Sequence, residues 1–399
     1  MRIIERDKYL KRIVRLKGTP DIKIITGLRR SGKSELVRAY MDWLRKNEND
    51  TNIIFIDFVD LKYDDLKSYS KLNDYCENQY KAGKDNVLII DEVQLCDRFE
   101  LAVNSLYNSR KYDIYITGSN AFLLSSDLST LFTGRFIEIP IYPFSFAEYC
   151  KYYDYDINTP DVLDSYLIHG GLSGSYIYKD AEDKNLYIKD VFTTIVNRDL
   201  VDKYGIRDEM LLESLTSYLM DNISNLTSAS KISTAFKQNK VETNHITIGN
   251  YIKYLCNAFM FYKVKRYDIR GKKYLETADK YYLGDLGFRY ALLGSRNMDY
   301  GRAYENIVAI ELLRRGYDIY VGKLYQKEID FVAMKQSQKL YIQVSDRISA
   351  PDTLERELSP LRSIKDAYPK MLLANTGHDD YDIEGIKVFD IKRWLLMDE

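Results

Sequence analysis

Five runs of mostly apolar residues divide the first 141 positions: 22–26, 52–58, 87–90, 113–117 and 137–141. Such near-continuous apolar stretches are the mark of strands buried on both faces of a parallel sheet. Between them charged and apolar residues recur at helical spacing. Segment 6–16 sets Leu10, Ile13, Val14 and Leu16 among Arg and Lys, and 35–44 and 61–82 read as further helices. Strand and helix in alternation predict an α/β core around a parallel sheet.

Beyond residue 144 the pattern changes. Positions up to about 204 are helical, with charges between apolar residues. Helices are then predicted over 210–223, 230–238 and 247–256, the last with Ile248, Tyr251, Ile252 and Leu255 on one face. Runs 261–267 and 272–277 flank the turn Asp268-Ile269-Arg270-Gly271 and predict a hairpin. Helix, turn, helix and hairpin in that order suggest a winged helix. The last hundred residues predict a helix over 304–316 closed by Gly316, strands at 318–321, 328–333 and 340–345, and a final helix and strand. A chain of 399 residues is long enough for more than one core, and the expected divisions are 1–143, 144–205, 206–295 and 296–399.

Between the first strand and the next helix stands Gly27-Leu28-Arg29-Arg30-Ser31-Gly32-Lys33-Ser34, which fits G-x-x-x-x-G-K-[ST]. In that setting backbone N–H groups cradle phosphate oxygens, and the helix N-terminus adds partial positive charge. Gly27, Leu28, Arg29, Arg30, Ser31, Gly32, Lys33, Ser34 and Glu35 are the candidate ATP-binding residues. Lys33 is expected to reach the β and γ phosphates, and Ser34 to ligate Mg²⁺. About 60 residues on, Val87-Leu88-Ile89-Ile90-Asp91-Glu92 is a strand ending in two carboxylates. Asp91 is the second candidate for Mg²⁺, and Glu92 the candidate base for the attacking water. After the strand 113–117, Ser119 or Asn120 is a candidate γ-phosphate sensor or, equally, a turn or helix cap. Arg135 is read either as an arginine finger, in trans or in cis, or as an ordinary salt-bridge partner.

Composition narrows the rest. With 58 basic and 59 acidic residues the net charge is −1, so any nucleic-acid surface must be local. The four cysteines, Cys76, Cys96, Cys150 and Cys256, lack C-x-x-C spacing and fit a reducing cytoplasm. No apolar run approaches the ~18 residues of a membrane helix, so a cytoplasmic protein without membrane association is expected. The three histidines, His169, His245 and His378, are too scattered for a His-rich metal centre.

Together, residues 27–34, Leu88-Ile89-Ile90-Asp91-Glu92-Val93-Gln94, Ile116-Thr117-Gly118-Ser119-Asn120, and Gly134-Arg135-Phe136 followed by Tyr142-Pro143-Phe144-Ser145-Phe146-Ala147-Glu148-Tyr149 resemble one family. It is the AAA-type P-loop ATPases of bacteria and archaea called "ATP-binding protein", with a C-terminal domain of unknown function. The resemblance implies an ATPase core, a helical lid, a winged helix and a nuclease-like tail. Members often carry Gly-Gly-x-Pro in the lid; here Ser173 stands in the proline's place within His169-Gly170-Gly171-Leu172-Ser173-Gly174, so no nucleotide contact is carried over to that turn. In the same region Arg198-Asp199 reads as a solvated pair, or as a contact to nucleotide or a neighbouring subunit.

Two surfaces extend the reading. Between Lys231 and Tyr274, ten Lys or Arg stand against Glu242 and Asp268, a surplus suited to phosphate binding. Lys263, Lys265, Arg266, Arg270, Lys272 and Lys273 on the hairpin are the candidate contacts to double-stranded DNA; a winged helix used only to pack against protein is the alternative. In the tail, Glu305, Asp330 and Gln343 resemble the acidic positions of a PD-(D/E)XK nuclease. The nuclease pattern needs a second acid and a lysine where this chain has Gln343 and Ser345. Glu305 and Asp330 alone make a poor metal site unless Glu328, or a lysine such as Lys339, compensates. The expectation is an ATP- and Mg²⁺-dependent switch with a degenerate nuclease-like domain. DNA and a protein partner are alternative outputs, an active nuclease is a third reading, and the oligomeric state is left open.

Overall fold

The structure is a computed structural model that describes residues 4–118, 132, 134–294 and 299–397. It divides into two compact units, Met1–Ile141 and Tyr142–Glu399.

In the first unit the order is α1 (Asp7–Arg15), β1 (Ile22–Gly27), α2 (Lys33–Asn47), β2 (Thr51–Asp57), α3 (Tyr69–Gln79), β3 (Asp85–Asp91), α4 (Phe99–Ser109), β4 (Asp113–Thr117) and β5 (Phe136–Ile141). The strands form one parallel sheet in the order β2-β3-β4-β1-β5. Their apolar residues alternate between two cores, as a period of two requires. Ile22, Ile24, Leu88, Ile90 and Ile116 pack on one face with residues of α3 and α4; Ile25, Val87, Ile89, Tyr115 and Ile139 pack on the other with α1 and α2. Each such fully buried side chain contributes about 1.5–3 kcal/mol. Lys23 breaks the apolar run of β1, yet it is fully buried. Its ammonium is paired with Asp113 and donates to the Thr19 carbonyl at 2.6 Å, so no charge is left bare.

The register decides where chemistry can occur. Ile25 lies opposite Thr117, and Asp57 opposite Asp91, so the carboxyl ends of β1, β2, β3 and β4 open at one edge. In an open parallel sheet that edge is the ligand-binding side.

The second unit starts with helices: α5 (Phe146–Tyr153), α6 (Val162–His169), α7 (Ala181–Thr194, continuing as a π-helical Ile195–Asp202), α8 (Glu209–Asp221), α9 (Ala229–Gln238) and α10 (His245–Asn257). The hairpin β6 (Phe261–Asp268) and β7 (Lys273–Leu283) follows, then α11 (Leu286–Leu293), α12 (Tyr300–Arg314), β8 (Asp318–Leu324), β9 (Lys327–Lys335) and β10 (Gln338–Ser345). The chain continues through α13 (Pro351–Arg362), β11 (Lys370–Ala374), β12 (Tyr381–Ile383), β13 (Ile386–Asp390) and α14 (Ile391–Leu396). α5 is fixed by a capping box in which Ser145 and Glu148 satisfy each other's backbone N–H groups.

The expected hairpin does not stand apart as a wing. All eight strands form one mixed sheet, β12-β13-β11-β10-β9-β8-β6-β7, which crosses the expected boundary at 295. Residues 266–268 of β6 pair in parallel with 321–323 of β8. β7 also continues to Leu283, past the expected end at 277. The charged pair Asp279-Lys280 looks like a strand end in sequence, but both charges find partners in the fold. Asp279 meets Lys263 at 2.8 Å, and Lys280 turns toward carboxylates of α12 and β9.

Candidate functional site

Between β1 and α2 the chain is forced into a shape that few residues tolerate. Gly27 has φ +142°, and a Cβ there would stand 2.0 Å from the Ile141 carbonyl oxygen, so only glycine lets the loop leave β1 beside β5. Gly32, at φ +95°, caps α2 in the left-handed region. Lys33 is buried, and its ammonium donates to the Gly27 and Leu28 carbonyls at 2.9 and 3.1 Å. Ser31 is 2 % exposed, and its hydroxyl has no hydrogen-bond partner among the described residues. A buried hydroxyl without a partner in a loop of this shape fits a ligand rich in acceptors. Leu28 is buried, Arg29 half-buried and Arg30 exposed with φ 65°; Glu35 is exposed and pairs with Arg38 at 2.7 Å.

The end of β3 faces this loop. Asp91 is 2 % exposed and accepts from the hydroxyls of Thr117 and Ser34. Burial pushes its carboxyl above the usual range, and the negative charges of Glu92 and Asp57 add to that, while the two hydroxyls pull it back. A hydroxyl beside a carboxylate is a donor set suited to Mg²⁺, which takes oxygen ligands. Glu92 is left-handed at φ 53°, unusual for a residue with a side chain. Its N–H donates to Thr117 Oγ1 at 3.1 Å, and its carboxylate accepts from the Gln94 amide.

Two residues of this site were not singled out in the sequence. Thr117 bridges Asp91 and Glu92; its signal was a polar residue ending an apolar strand. Arg6 donates to the Ser31 carbonyl at 2.9 Å and stacks on Tyr9 at 4.4 Å, tying the start of α1 to the loop. Nothing in the local pattern marked Arg6, because its target lies 25 residues away. The sensor candidates Ser119 and Asn120 lie outside the described residues.

Arg135 is at the other end of the sheet. Its carbonyl accepts from Ile22 N–H at 3.0 Å, and β1 and β5 run in register from Ile22 opposite Phe136 to Gly27 opposite Ile141. At ~3.3 Å per residue the guanidinium starts nearly 20 Å from its own loop, beyond an arginine's reach. In this register Arg135 stands far from the loop of its own chain. Arg135 instead donates to Asn108 Oδ1 at 3.1 Å and lies over the Tyr107 ring at 5.5 Å.

On the hairpin, Lys263, Lys265, Arg270, Lys272 and Lys273 are exposed and Arg266 is half-buried. Lys263 is paired with Asp279, and Arg270 lies over Tyr325 at 5.2 Å. β7 is an edge strand, so lysines at its start also discourage pairing with another chain.

The tail residues gather, but around a lysine that was not foreseen. Glu305 of α12 and Asp330 of β9 are 8 % exposed, and the Lys280 ammonium lies 2.8 Å from Glu305 Oε1 and 3.6 Å from Asp330 Oδ1. Burial lowers the lysine's proton affinity, but Glu305, Asp330 and Glu328 together hold it above its ordinary value. Burial raises both buried acids, Asp330 to about 8 with Glu305 adding to the shift. Gln343 is not turned to this group as a ligand. It accepts from Asp330 N–H at 3.4 Å and donates to Glu357 at 3.0 Å. Lys339 does not compensate either, since it lies over the rings of Tyr267, Tyr341 and Tyr368 at 5.0–5.3 Å.

One further buried carboxylate organises the second unit. Asp285 accepts from the N–H groups of Gly171 at 2.6 Å and Gly287 at 2.8 Å, and burial outweighs these bonds to raise it to about 7.

No helix among the described residues is long and apolar enough to cross a membrane. Residues 19–150 match the family model described as "AAA domain", and 160–299 match "Domain of unknown function (DUF8612)". An uncharacterized protein of Haemophilus influenzae is 39% identical over 399 residues, covering 99% of both chains. An uncharacterized protein of Methanocaldococcus jannaschii is 26% identical over 92% of this chain and 84% of its own. Among solved structures, a Walker-type ATPase of Pyrococcus abyssi aligns with 73% of this chain and 96% of its own, at 14% identity and a TM-score of 0.45. The chain thus belongs to one family with the Haemophilus influenzae protein, and its residues 19–150, which include the Gly27 to Ser34 loop, match an AAA domain.

Proposed function

We propose that this protein is an Mg²⁺-dependent ATP-hydrolysing switch. The observation that carries the reading is the contact of Ser34 with Asp91 beside a glycine-shaped loop that holds an unpartnered Ser31 hydroxyl. ATP would take its phosphates into that loop, where Lys33 exchanges the Gly27 and Leu28 carbonyls for β and γ oxygens. Ser34 and Asp91 are the residues to hold Mg²⁺, which supplies charge neutralisation at the phosphate oxygens. Glu92, fixed through Thr117 and Gln94, orients the attacking water and takes its proton. Thr117 then links the γ-phosphate side of the site to both acids. If Arg135 acts as an arginine finger it does so on a second copy, and an assembly of several chains goes with that role; its bond to Asn108 supports an ordinary structural role instead.

For the output, the exposed basic face of the β6–β7 hairpin favours a polyanion, with double-stranded DNA the first choice. A protein partner is the competing reading. One measurement tests the hydrolysis and a second the output. Glu92→Gln is expected to keep binding a fluorescent ATP analogue while phosphate release falls to background. DNA affinity of the wild type is expected to fall steeply with salt and to weaken when Lys265, Lys272 and Lys273 are neutralised together. No DNA binding at low salt would remove the DNA output and leave the ATPase reading intact.

A further inference from the structure

Three carboxylates in the second unit converge on one point, and an ammonium group occupies it. Lys280 Nζ lies 2.8 Å from Glu305 Oε1, 2.8 Å from Glu328 Oε1 and 3.6 Å from Asp330 Oδ1. The lysine side chain is 4 % exposed, so it is built into the group rather than reaching in from solvent. Two further donors reach the same carboxylates: Tyr282 OH donates to Glu305 Oε1 at 2.6 Å, and Val344 N–H to Asp330 Oδ2 at 2.9 Å. These separations suit an ammonium, whereas Mg²⁺ holds its oxygens at about 2.0–2.1 Å. Gln343, the third position of the nuclease-like arrangement, is committed to the Asp330 backbone and Glu357. The residues present therefore do not fit a divalent metal.

We infer that Lys280 is the resident cation of this carboxylate cluster, a metal-free charge lock standing where the nuclease-like arrangement would need its metal. The lock joins three elements that the chain brings together only on folding. β7 contributes Lys280 and Tyr282, α12 contributes Glu305, and β9 contributes Glu328 and Asp330. It fastens the edge hairpin, and with it the basic face, to the C-terminal sheet. It also explains why a charged residue sits in the middle of an otherwise buried strand end, since removing the lysine would leave buried acids uncompensated.

The test is Mn²⁺ binding to nucleotide-free protein, followed by the loss of the free-ion electron paramagnetic resonance signal. The wild type is expected to bind no Mn²⁺ at a site that Asp330→Asn removes. Lys280→Ala is expected to gain about one equivalent of Mn²⁺, lost again in the double variant with Asp330→Asn. Mn²⁺ bound by the wild type in an Asp330-dependent way would overturn the inference, as would a folded Lys280→Ala protein that binds none. Because Lys280→Ala can fail to fold, the wild type is also melted with millimolar Mn²⁺ and with chelator. An unchanged midpoint supports the lock; a rise with Mn²⁺ that Asp330→Asn abolishes refutes it.

Discussion

The phosphate loop and the C-terminal carboxylate cluster both hold buried charge, but the chain builds them in opposite ways. The loop is contiguous. Eight successive residues supply the turn, the lysine and the hydroxyl, and the flanking β1 and α2 set its shape. The cluster draws Lys280, Glu305, Glu328 and Asp330 from three elements spread over fifty residues. In the loop Lys33 rests on two backbone carbonyls, neutral acceptors from which a phosphate can take it. In the cluster Lys280 is held by charged acceptors that nothing weaker displaces. The difference separates a cation held by neutral carbonyls from a cation fixed among carboxylates.

The comparison breaks first at the loop. Lys33→Ala and Glu92→Gln should each lower ATP turnover by about 10²–10³-fold, with folding unchanged, as read by phosphate release and circular dichroism. Equal turnover would mean that the buried lysine is structural in both places. At the cluster the largest effect falls on stability instead. Lys280→Met should destabilise the protein by about 3–5 kcal/mol in urea titrations, and adding Glu305→Gln should recover part of that loss. ATP turnover per folded molecule should not change.

Gly27→Ala sharpens the account of loop shape. A methyl against the Ile141 carbonyl and a strained φ should cost about 3 kcal/mol or more, measured by thermal melting. The smallest effect is expected at Asp285. A carboxyl raised to about 7 by burial favours its protonated form in the fold. Its contribution to stability is full below the unfolded value near 3.9 and is lost as pH rises through about 7. His169, lowered to about 4 by burial, acts in the opposite direction, gaining stability as pH rises toward 6.5. Comparing wild type with Asp285→Asn cancels the histidine term. The stability difference between the two proteins, about 1–3 kcal/mol, should shrink between pH 4 and 7 in urea titrations.

What could be read from sequence follows the same division. The parallel sheet, the loop, and Asp91 at a strand end were legible because buried strands and phosphate loops are written in neighbouring residues. The hairpin was legible as a hairpin. Its place at the edge of an eight-stranded sheet was not, because pairing of 266–268 with 321–323 leaves no local trace. Lys280 carried no signal for the same reason, since its partners lie on α12 and β9. Arg135 reads in sequence as a finger in cis or in trans or as an ordinary salt-bridge partner, and only the register of β1 and β5 places it at the far end of the sheet. Thr117 carried only the faint signal of a polar residue ending an apolar strand, and Arg6 carried none.

Steady-state phosphate release from ATP and Mg²⁺, by the purified wild type and Lys33→Ala side by side, tests the central claim most directly. The account predicts turnover in the wild type that requires Mg²⁺ and falls to background in Lys33→Ala. A wild type without turnover, or a Lys33→Ala protein that matches it, would contradict it.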